Sequence, residues 1–332
     1  MSNLPIDRLS SLLDRFKVRA HLFHNGPLCG VSRFPAEPGR GFLHVMRRGE
    51  LELRHGAKTA LPRRLTITEP SLLFYPRALA HEFRNPPQDG SDFVCAELAF
   101  DGGERNPLVR ALPPLILLPL ARVEGLEPAL ALLFAETERL RCGQRLLADR
   151  LFEVVLIQLL RWLIDHPAEA GIPPGLLNGL ADPRLARALV GLHEHPGAPW
   201  SLATMAQEAG MSRSAFAAAF KAAVGQTPAN YLADWRLSLA QTQLRQGRQV
   251  KEIADALGYA SAPALSRLFS QRLGCSPREW RERNAAPRRS PPCLRTAWPG
   301  ASGTQRQSRR PPPVTRWSRN PPRGPPSRWL SR

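Results

Sequence analysis

The sequence predicts an α+β protein of several domains, with a β-barrel at the front and an all-α region containing two helix-turn-helix units behind it. Three observations support this class. Short alternating strands fill the stretch from Phe23 to Phe100, apolar residues change to helical spacing at Leu126, and a repeat of about 49 residues lies between Met205 and Trp280. The length of 332 residues fits more than one domain, because single cores seldom exceed about 250–300 residues.

The front region has the pattern of antiparallel β-structure. Four runs alternate or concentrate apolar residues, and Gly, Pro, Asn and Asp clusters separate them: Leu51–Arg54, Leu65–Thr68, Leu72–Tyr75 and Phe93–Leu98. Regularly spaced short strands with turn signals are typical of a sandwich or barrel. We therefore predict a β domain over residues 1–120.

Two amphipathic helices are predicted over residues 121–166. Apolar residues recur at helical spacing from Leu126 to Phe134 and again from Leu147 to Leu160, on either side of a break at Arg141–Gly143. Two interpretations stay open. The wide apolar faces fit a homodimer contact, and they fit equally well packing on the β domain of the same chain.

A Pro/Gly/Ala-rich stretch, 167–181, predicts a linker to a helical domain over residues 182–284. Beyond it, residues 285–332 hold 11 Arg, 11 Pro and no acid, and supply +11 of the net charge of +18. Such a composition predicts a disordered tail. This basic tail would either add nonspecific phosphate contacts or reflect translation in a shifted frame of GC-rich DNA.

Composition excludes several classes of protein. No apolar run approaches the ~20 residues of a bilayer span, so we expect a soluble, cytoplasmic protein with no membrane partner. The five cysteines are scattered and form no CxxC pair, which argues against a secreted disulfide framework or a zinc ribbon. Residues 182–284 carry a net charge of +5, which permits a polyanionic partner.

The repeat is the strongest signal. The first copy contains, in order, Ala206, Gly210, Phe216, Phe220, Gly225, Pro228 and Tyr231. The second contains Ala254, Gly258, Leu265, Phe269, Gly274, Pro277 and Trp280, with one extra residue after the glycine of the turn. In each copy a short helix, a glycine turn, a serine N-cap (Ser212 or Ser261) and an apolar i, i+4 pair follow one another, as in a helix-turn-helix.

Residues 200–281 resemble the DNA-binding domain of AraC/XylS-type transcription regulators. The second copy carries most of the resemblance, through Ile253–Ser261, Ser266–Phe269 and Gly274–Arg281. The front region is similar to the cupin-like sensor domain in one branch of this family, and the matching stretches are Leu28–Gly30, His44–Gly49, Pro70–Pro76 and Asn106–Pro114. The resemblance implies a transcription regulator, expected to be an activator, that binds double-stranded DNA and works with RNA polymerase.

The resemblance also implies which side chains face DNA, since each second helix of a unit enters a major groove in this family. The first helix would present Arg213, Ser214, Ala217, Ala218 and Lys221. The second would present Ser261, Ala262, Pro263, Ser266 and Arg267. Arg267 is the candidate for a bidentate contact to guanine, and Lys221 is the candidate for a phosphate contact.

Cupins include metal-dependent enzymes, so the alternative function is a metal-dependent cupin enzyme fused to a DNA-targeting module. His44, Glu50 and His81 are weak candidates for metal ligands. The early strand reads His44-Val-Met and lacks the second histidine of the usual His-x-His pair. We therefore expect no enzymatic activity and no cofactor.

Two kinds of signal remain open for the front domain. Cys29 and Cys95 lie on predicted strands that a barrel could bring together, which would allow an oxidant to close a disulfide. A small organic effector bound inside the barrel is the other hypothesis. Buried free cysteines are also commonly plain core residues.

Overall fold

The computed structural model describes residues 6–57, 59–86 and 90–284, and the predicted tail, 285–332, lies outside them. The strands are β1 Val18–Leu28, β2 Gly30–Phe34, β3 Arg40–Arg48, β4 Leu51–His55, β5 Arg64–Ile67, β6 Ser71–Tyr75, β7 His81–Asn85, β8 Ser91–Phe100 and β9 Ile116–Pro119. The helices are α1 Ser10–Arg15, α2 Pro107–Ala111, α3 Glu127–Thr137, α4 Gln144–Asp165, α5 Leu176–Ala181, α6 Pro183–Glu194, α7 Leu202–Glu208, α8 Arg213–Val224, α9 Pro228–Arg245, α10 Val250–Ala256, α11 Ala262–Leu273 and α12 Pro277–Asn284.

The front half is built from two antiparallel sheets. The first has the strand order β1-β8-β3-β6-β9, and the second has the order β2-β7-β4-β5. All the pairings are antiparallel, including the long β1–β8 ladder, in which Val18 pairs with Phe100 and Leu28 with Ser91. The two sheets enclose one apolar cluster that includes Phe34, Met46 and Phe83.

The central strands of the first sheet are buried on both faces. Phe42 and Met46 of β3 point into the cluster between the sheets, whereas Leu43 and Val45 belong to a second core that the helices cover. Because neighbouring side chains alternate between the faces of a strand, a strand covered on both sides needs a continuous apolar run. This explains the unbroken hydrophobic sequence of β6.

Helices α3 and α4 lie against the outer face of this sheet, with Leu133, Phe152 and Val155 fully buried. The α+β class, with a cupin-like barrel, a helical pair and a tandem helix-turn-helix region, is confirmed. The domain boundaries given above stay predictions. No helix among the described residues has both the length and the apolar character needed to cross a membrane.

The stretch predicted as a linker contains a helix that the sequence pattern did not indicate. Leu176, Leu177 and Leu180 of α5 are buried, and α5 packs on α6 and α8. Gly175 N–H donates to the carbonyl of Ala223 at 3.0 Å. The end of this stretch is therefore part of the helical region rather than an extended connector.

Candidate nucleic-acid interface

The first helix-turn-helix, unit 1 (residues 201–225), consists of α7, a turn and α8. Gly210 has φ +64° in the turn, a conformation that only glycine adopts without strain. The hydroxyl of Ser212 accepts a hydrogen bond from the Ala215 N–H and caps α8. Phe216 and Phe220 are fully buried, 5.5 Å apart between ring centroids, so they fix the orientation of α8.

The second helix-turn-helix, unit 2 (residues 250–274), repeats this construction with α10 and α11. Gly258 has φ +71°, Ser261 caps α11 through the Ala264 N–H, and Leu265 and Phe269 are buried. The turn is more crowded than in unit 1, because a Cβ on Gly258 would lie 2.3 Å from the carbonyl oxygen of Gly197. The helices and both serine caps agree with the sequence prediction.

In unit 1, the structure leaves most of the predicted DNA-facing side chains accessible. Arg213, Ser214, Ala218 and Lys221 are exposed, and Ala217 is half-buried. These five residues lie along one face of α8, and the buried phenylalanines lie on another face of the same helix. Two of the five are alanines, so this face offers few hydrogen-bonding groups to a base edge.

In unit 2, Ser261, Pro263 and Arg267 are exposed, whereas Ala262 and Ser266 are half-buried. The Ser261 hydroxyl already accepts a hydrogen bond as the N-cap of α11. Arg267 is the long cationic side chain of this face. Contact of these residues with DNA stays a prediction.

The connecting helix α9 holds the two units at a fixed separation. Arg272 of α11 donates to the Asn230 side chain of α9 at 3.1 Å and lies 3.5 Å from the Asp234 carboxylate. Arg236 of α9 donates to the carbonyls of Pro196 and Ala198. Sequence reasoning missed these contacts, because no local pattern distinguishes an arginine that bridges helices from a solvated one.

A buried aromatic cluster connects the front domain to unit 1. Phe16 packs edge-on against Trp235 of α9 at 5.2 Å, and Trp235 stacks on His193 of α6 at 3.9 Å. His193 Nε2 and the Tyr231 hydroxyl share a hydrogen bond of 2.6 Å, and Tyr231 touches Phe220 of α8 at 5.6 Å. Burial lowers the pKa of His193 to about 3, and Arg15 contributes to the same shift, so this ring is neutral at pH 7.

The front domain contains a buried histidine pair between its two sheets. His44 of β3 and His81 of β7 have their Nε2 atoms 3.0 Å apart. His81 Nδ1–H donates to the Leu79 carbonyl, so its Nε2 accepts from His44 Nε2–H when both rings are neutral. Burial lowers the pKa of His81 to about 4 and that of His44 well below its usual value, which favours these neutral forms.

The three weak metal candidates do not come together. Glu50 lies in the exposed turn after β3, whereas His44 is buried between the two sheets. Within the described part of the chain, no group of three or more His, Cys, Asp or Glu side chains is arranged to hold a metal ion. The histidine pair joins the two sheets by a hydrogen bond instead.

The disulfide hypothesis for Cys29 and Cys95 is wrong for this arrangement. Strands β1 and β8 are neighbours, as the hypothesis requires, but the ladder pairs Cys95 with His24, and Cys29 follows the last paired residue, Leu28. The offset of five residues corresponds to about 17 Å along the strands, whereas a disulfide needs Cα atoms about 4.4–6.8 Å apart. Burial also raises the pKa of the Cys95 thiol well above its usual value, which disfavours the reactive thiolate.

Comparison with known proteins matches two family models to the chain. A family model described as a cupin matches residues 7–165, and one described as a helix-turn-helix domain matches residues 205–283. Putative AraC-like transcription regulators of Streptomyces lividans and Streptomyces antibioticus are 38% and 39% identical over 203 and 178 residues, which are 60% and 53% of this chain. These matches span 66% and 58% of the relatives, which is less than two thirds of their length.

A third relative matches over more of its length. The RCS-specific HTH-type transcriptional activator RclR of Escherichia coli is 28% identical over 252 residues, which cover 74% of this chain and 87% of that protein. The fold and these matches define a cupin domain followed by an AraC-type tandem helix-turn-helix domain. The chain is thus similar to AraC-type transcription regulators.

Proposed function

We propose that this protein binds double-stranded DNA sequence-specifically through α8 and α11 and activates transcription in response to a signal received by its cupin domain. The observation that carries the proposal is the pair of helix-turn-helix units with exposed second helices, joined by one rigid helix. In the family, two such helices enter successive major grooves about 34 Å apart on one face of the duplex.

The charge and exposure of the two faces support DNA as the partner. Residues 182–284 carry a net charge of +5, and Arg213, Lys221 and Arg267 are exposed on the second helices. Arginine and lysine supply most protein contacts to phosphate oxygens, and arginine is the commonest partner of guanine. We assign base recognition chiefly to Arg267 and phosphate contact to Lys221.

Activation and contact with RNA polymerase rest on the resemblance to the family. The Escherichia coli relative described above is named a transcriptional activator. In our proposal, the DNA-bound protein presents a surface to RNA polymerase at the promoter.

The signal would reach unit 1 through the aromatic cluster at the domain contact. Phe16 belongs to the front domain and packs on Trp235, which is part of α9 between the two units. With the Cys29–Cys95 disulfide excluded by its geometry, a small organic effector in the cupin domain is the signal that we propose. A change in the position of Phe16 would shift α9, and with it the spacing of α8 and α11.

We further propose that the helical pair forms a homodimer. Leu132 of α3, Leu146, Leu147 and Val154 of α4, and Leu140 between the helices are all exposed, Leu140 by 95%. Several large apolar side chains exposed on neighbouring helices are unusual on a monomer. Association of two such faces would bury them.

The test of this function is selection of binding sites from a random DNA library with the full chain. We expect one enriched sequence with two determinants about one helical turn apart, and activation by this site of a promoter transcribed in vitro. Recovery of unenriched sequences would contradict specific binding. Repression by the same site would contradict the activator role while leaving DNA binding intact.

A further inference from the structure

A cleft to which the proposed function assigns no ligand lies between unit 1 and unit 2. It has a volume of about 590 Å³, within the range of about 300–1,000 Å³ of small-molecule sites. We call it the inter-unit cleft. Its walls come from α8, α9 and α11 and from the segments before α7 and after α10, through Trp200, Ala218, Leu232, Ala233, Tyr259 and Leu268.

Most of the cleft surface is apolar, and its strongest polar groups are hydrogen-bond donors. The Tyr259 hydroxyl is buried without a hydrogen-bond partner among the described residues. Burial raises the pKa of Tyr259, so the group keeps its proton and can donate. Lys221 and Arg236 also line the cleft, and no Asp or Glu of the described residues does.

These groups define the chemistry of an occupant. Lys221, the guanidinium charge of Arg236, which also donates to two backbone carbonyls, and the unpartnered hydroxyl favour an anionic head group. A buried hydroxyl is destabilising until it finds an acceptor. The apolar walls, with the Trp200 and Tyr259 rings, favour a ring system as the body of the ligand. A bare phosphate of DNA matches the cations but leaves the apolar surface uncovered.

We propose that the inter-unit cleft binds an aromatic anion, a carboxylate or sulfonate on a fused or linked ring system, and that this ligand competes with DNA. The competition rests on the proposed function, because Ala217, Ala218 and Lys221 belong both to the cleft and to the predicted DNA face. A ligand in the cleft would cover these residues and separate α8 from α11.

The probe for this site is 1-anilinonaphthalene-8-sulfonate, titrated by its fluorescence into the full chain without DNA. Ala218→Phe fills the cleft and should weaken binding at least tenfold. Ala222→Phe, on an exposed position of α8 outside the cleft, is the matched control and should change binding less than twofold. Equal affinities for the two variants would overturn the site.

A second pair of measurements tests the anionic head group and does not depend on a bulky substitution. Tyr259→Phe keeps the ring and should weaken the sulfonate probe three- to tenfold, while leaving the uncharged N-phenyl-1-naphthylamine unchanged. Lys221→Gln should do the same. Equal losses for the two probes, or none, would contradict recognition of an anion.

The competition is measured by DNA fluorescence anisotropy with the enriched site. A saturating concentration of the sulfonate should weaken DNA binding at least tenfold for the wild type. Tyr259→Phe, a change outside the predicted DNA face, should require a three- to tenfold higher concentration of the sulfonate for the same loss. Unchanged DNA affinity in the wild type would contradict competition. If no DNA sequence is enriched but the probe still responds to Ala218→Phe, the proposed function fails and the ligand site stands.

Discussion

The two helix-turn-helix units share one scaffold but differ in what surrounds them. Both have a serine cap, a glycine turn and a buried apolar pair on the second helix. Unit 1 packs on α5 and α6 and lies near the contact between Phe16 and Trp235. Unit 2 packs mainly within itself and on α9 and α12. The repeat therefore supplies two copies of one fold, and in the described part of the chain the first copy is linked to the front domain through α5 and through the aromatic cluster of α9.

The predicted DNA faces of α8 and α11 also differ, at two equivalent positions. Unit 1 offers Ala217 and Ala218 where unit 2 offers Ser266 and Arg267. At these two equivalent positions, the copy with more contacts inside the protein thus has no side chain that can hydrogen-bond to a base. We infer that unit 1 anchors the domain and receives the signal, whereas unit 2 reads sequence.

Removing the central phenylalanine of each unit tests the difference in surroundings. Phe220→Ala and Phe269→Ala should each lower the free energy of unfolding by about 3–5 kcal/mol, the usual cost of deleting a fully buried phenyl ring. Because Phe220 contacts Tyr231, its loss should also increase hydrogen exchange at α6 and around Phe16. Loss of Phe269, which contacts Trp280, should leave these segments unchanged. Identical exchange patterns would remove the distinction.

Replacing the two turn glycines compares how tightly the turn of each unit is packed. Gly210→Ala should cost about 1–2 kcal/mol for its left-handed backbone, since the nearest atom to a new Cβ is the far end of the Arg187 side chain, at 3.2 Å, rather than backbone. Gly258→Ala should cost about 1–3 kcal/mol more through overpacking against the Gly197 backbone. Denaturant unfolding measures both values. Equal losses would mean that the turn of unit 2 relaxes freely.

The sequence predicted this pair of units well because their signals are local. Ser212, Ser261 and the two turn glycines act within a few residues, so spacing alone locates the caps and turns. The same is true of the alternating strands and of the helical pair. Helix α5 was missed because its leucines are explained only by the residues of α6 and α8 that they contact.

The site was less predictable, for the same physical reason. His44 and His81 are 37 positions apart, and no local pattern shows that their Nε2 atoms meet. For Cys29 and Cys95 the sequence led to a contact that does not exist. The adjacency of their strands was foreseeable, but the register of the two strands was not. One further residue along a ladder moves a pair by about 3.4 Å, so the register decides whether a disulfide can form.

Acid should weaken the aromatic cluster beside unit 1, which contains His193 of α6, more than unit 2, which contains no histidine. His193 titrates near 6.5 in the unfolded chain but at about 3 in the fold, so the unfolded state binds more protons between these values and stability falls as pH drops below 6.5. At pH 5 the expected loss is about 2 kcal/mol. His193→Gln removes the titrating group and should flatten this part of the profile in denaturant unfolding. An unchanged slope would contradict the buried neutral ring.

The smallest expected effect is on DNA affinity, from loss of the phosphate contact predicted for Lys221 in unit 1. Lys221→Gln should weaken binding to all DNA sequences alike and reduce the slope of log affinity against log salt by about one. Lys17→Gln in the front domain is the matched control, since it removes the same charge outside the two helix-turn-helix units. A sequence-dependent loss would instead give Lys221 a role in base recognition.

The most direct test of the division between the units combines Arg267→Ala with single base-pair changes in the selected site. With the wild type, each base change in the half contacted by α11 should cost about 1–3 kcal/mol of binding free energy. With Arg267→Ala, a change at the guanine that Arg267 contacts should cost almost nothing. Changes in the other half should cost less and be the same for both proteins. The account is contradicted if the half contacted by α8 carries the larger penalties, or if Arg267→Ala weakens all sequences equally.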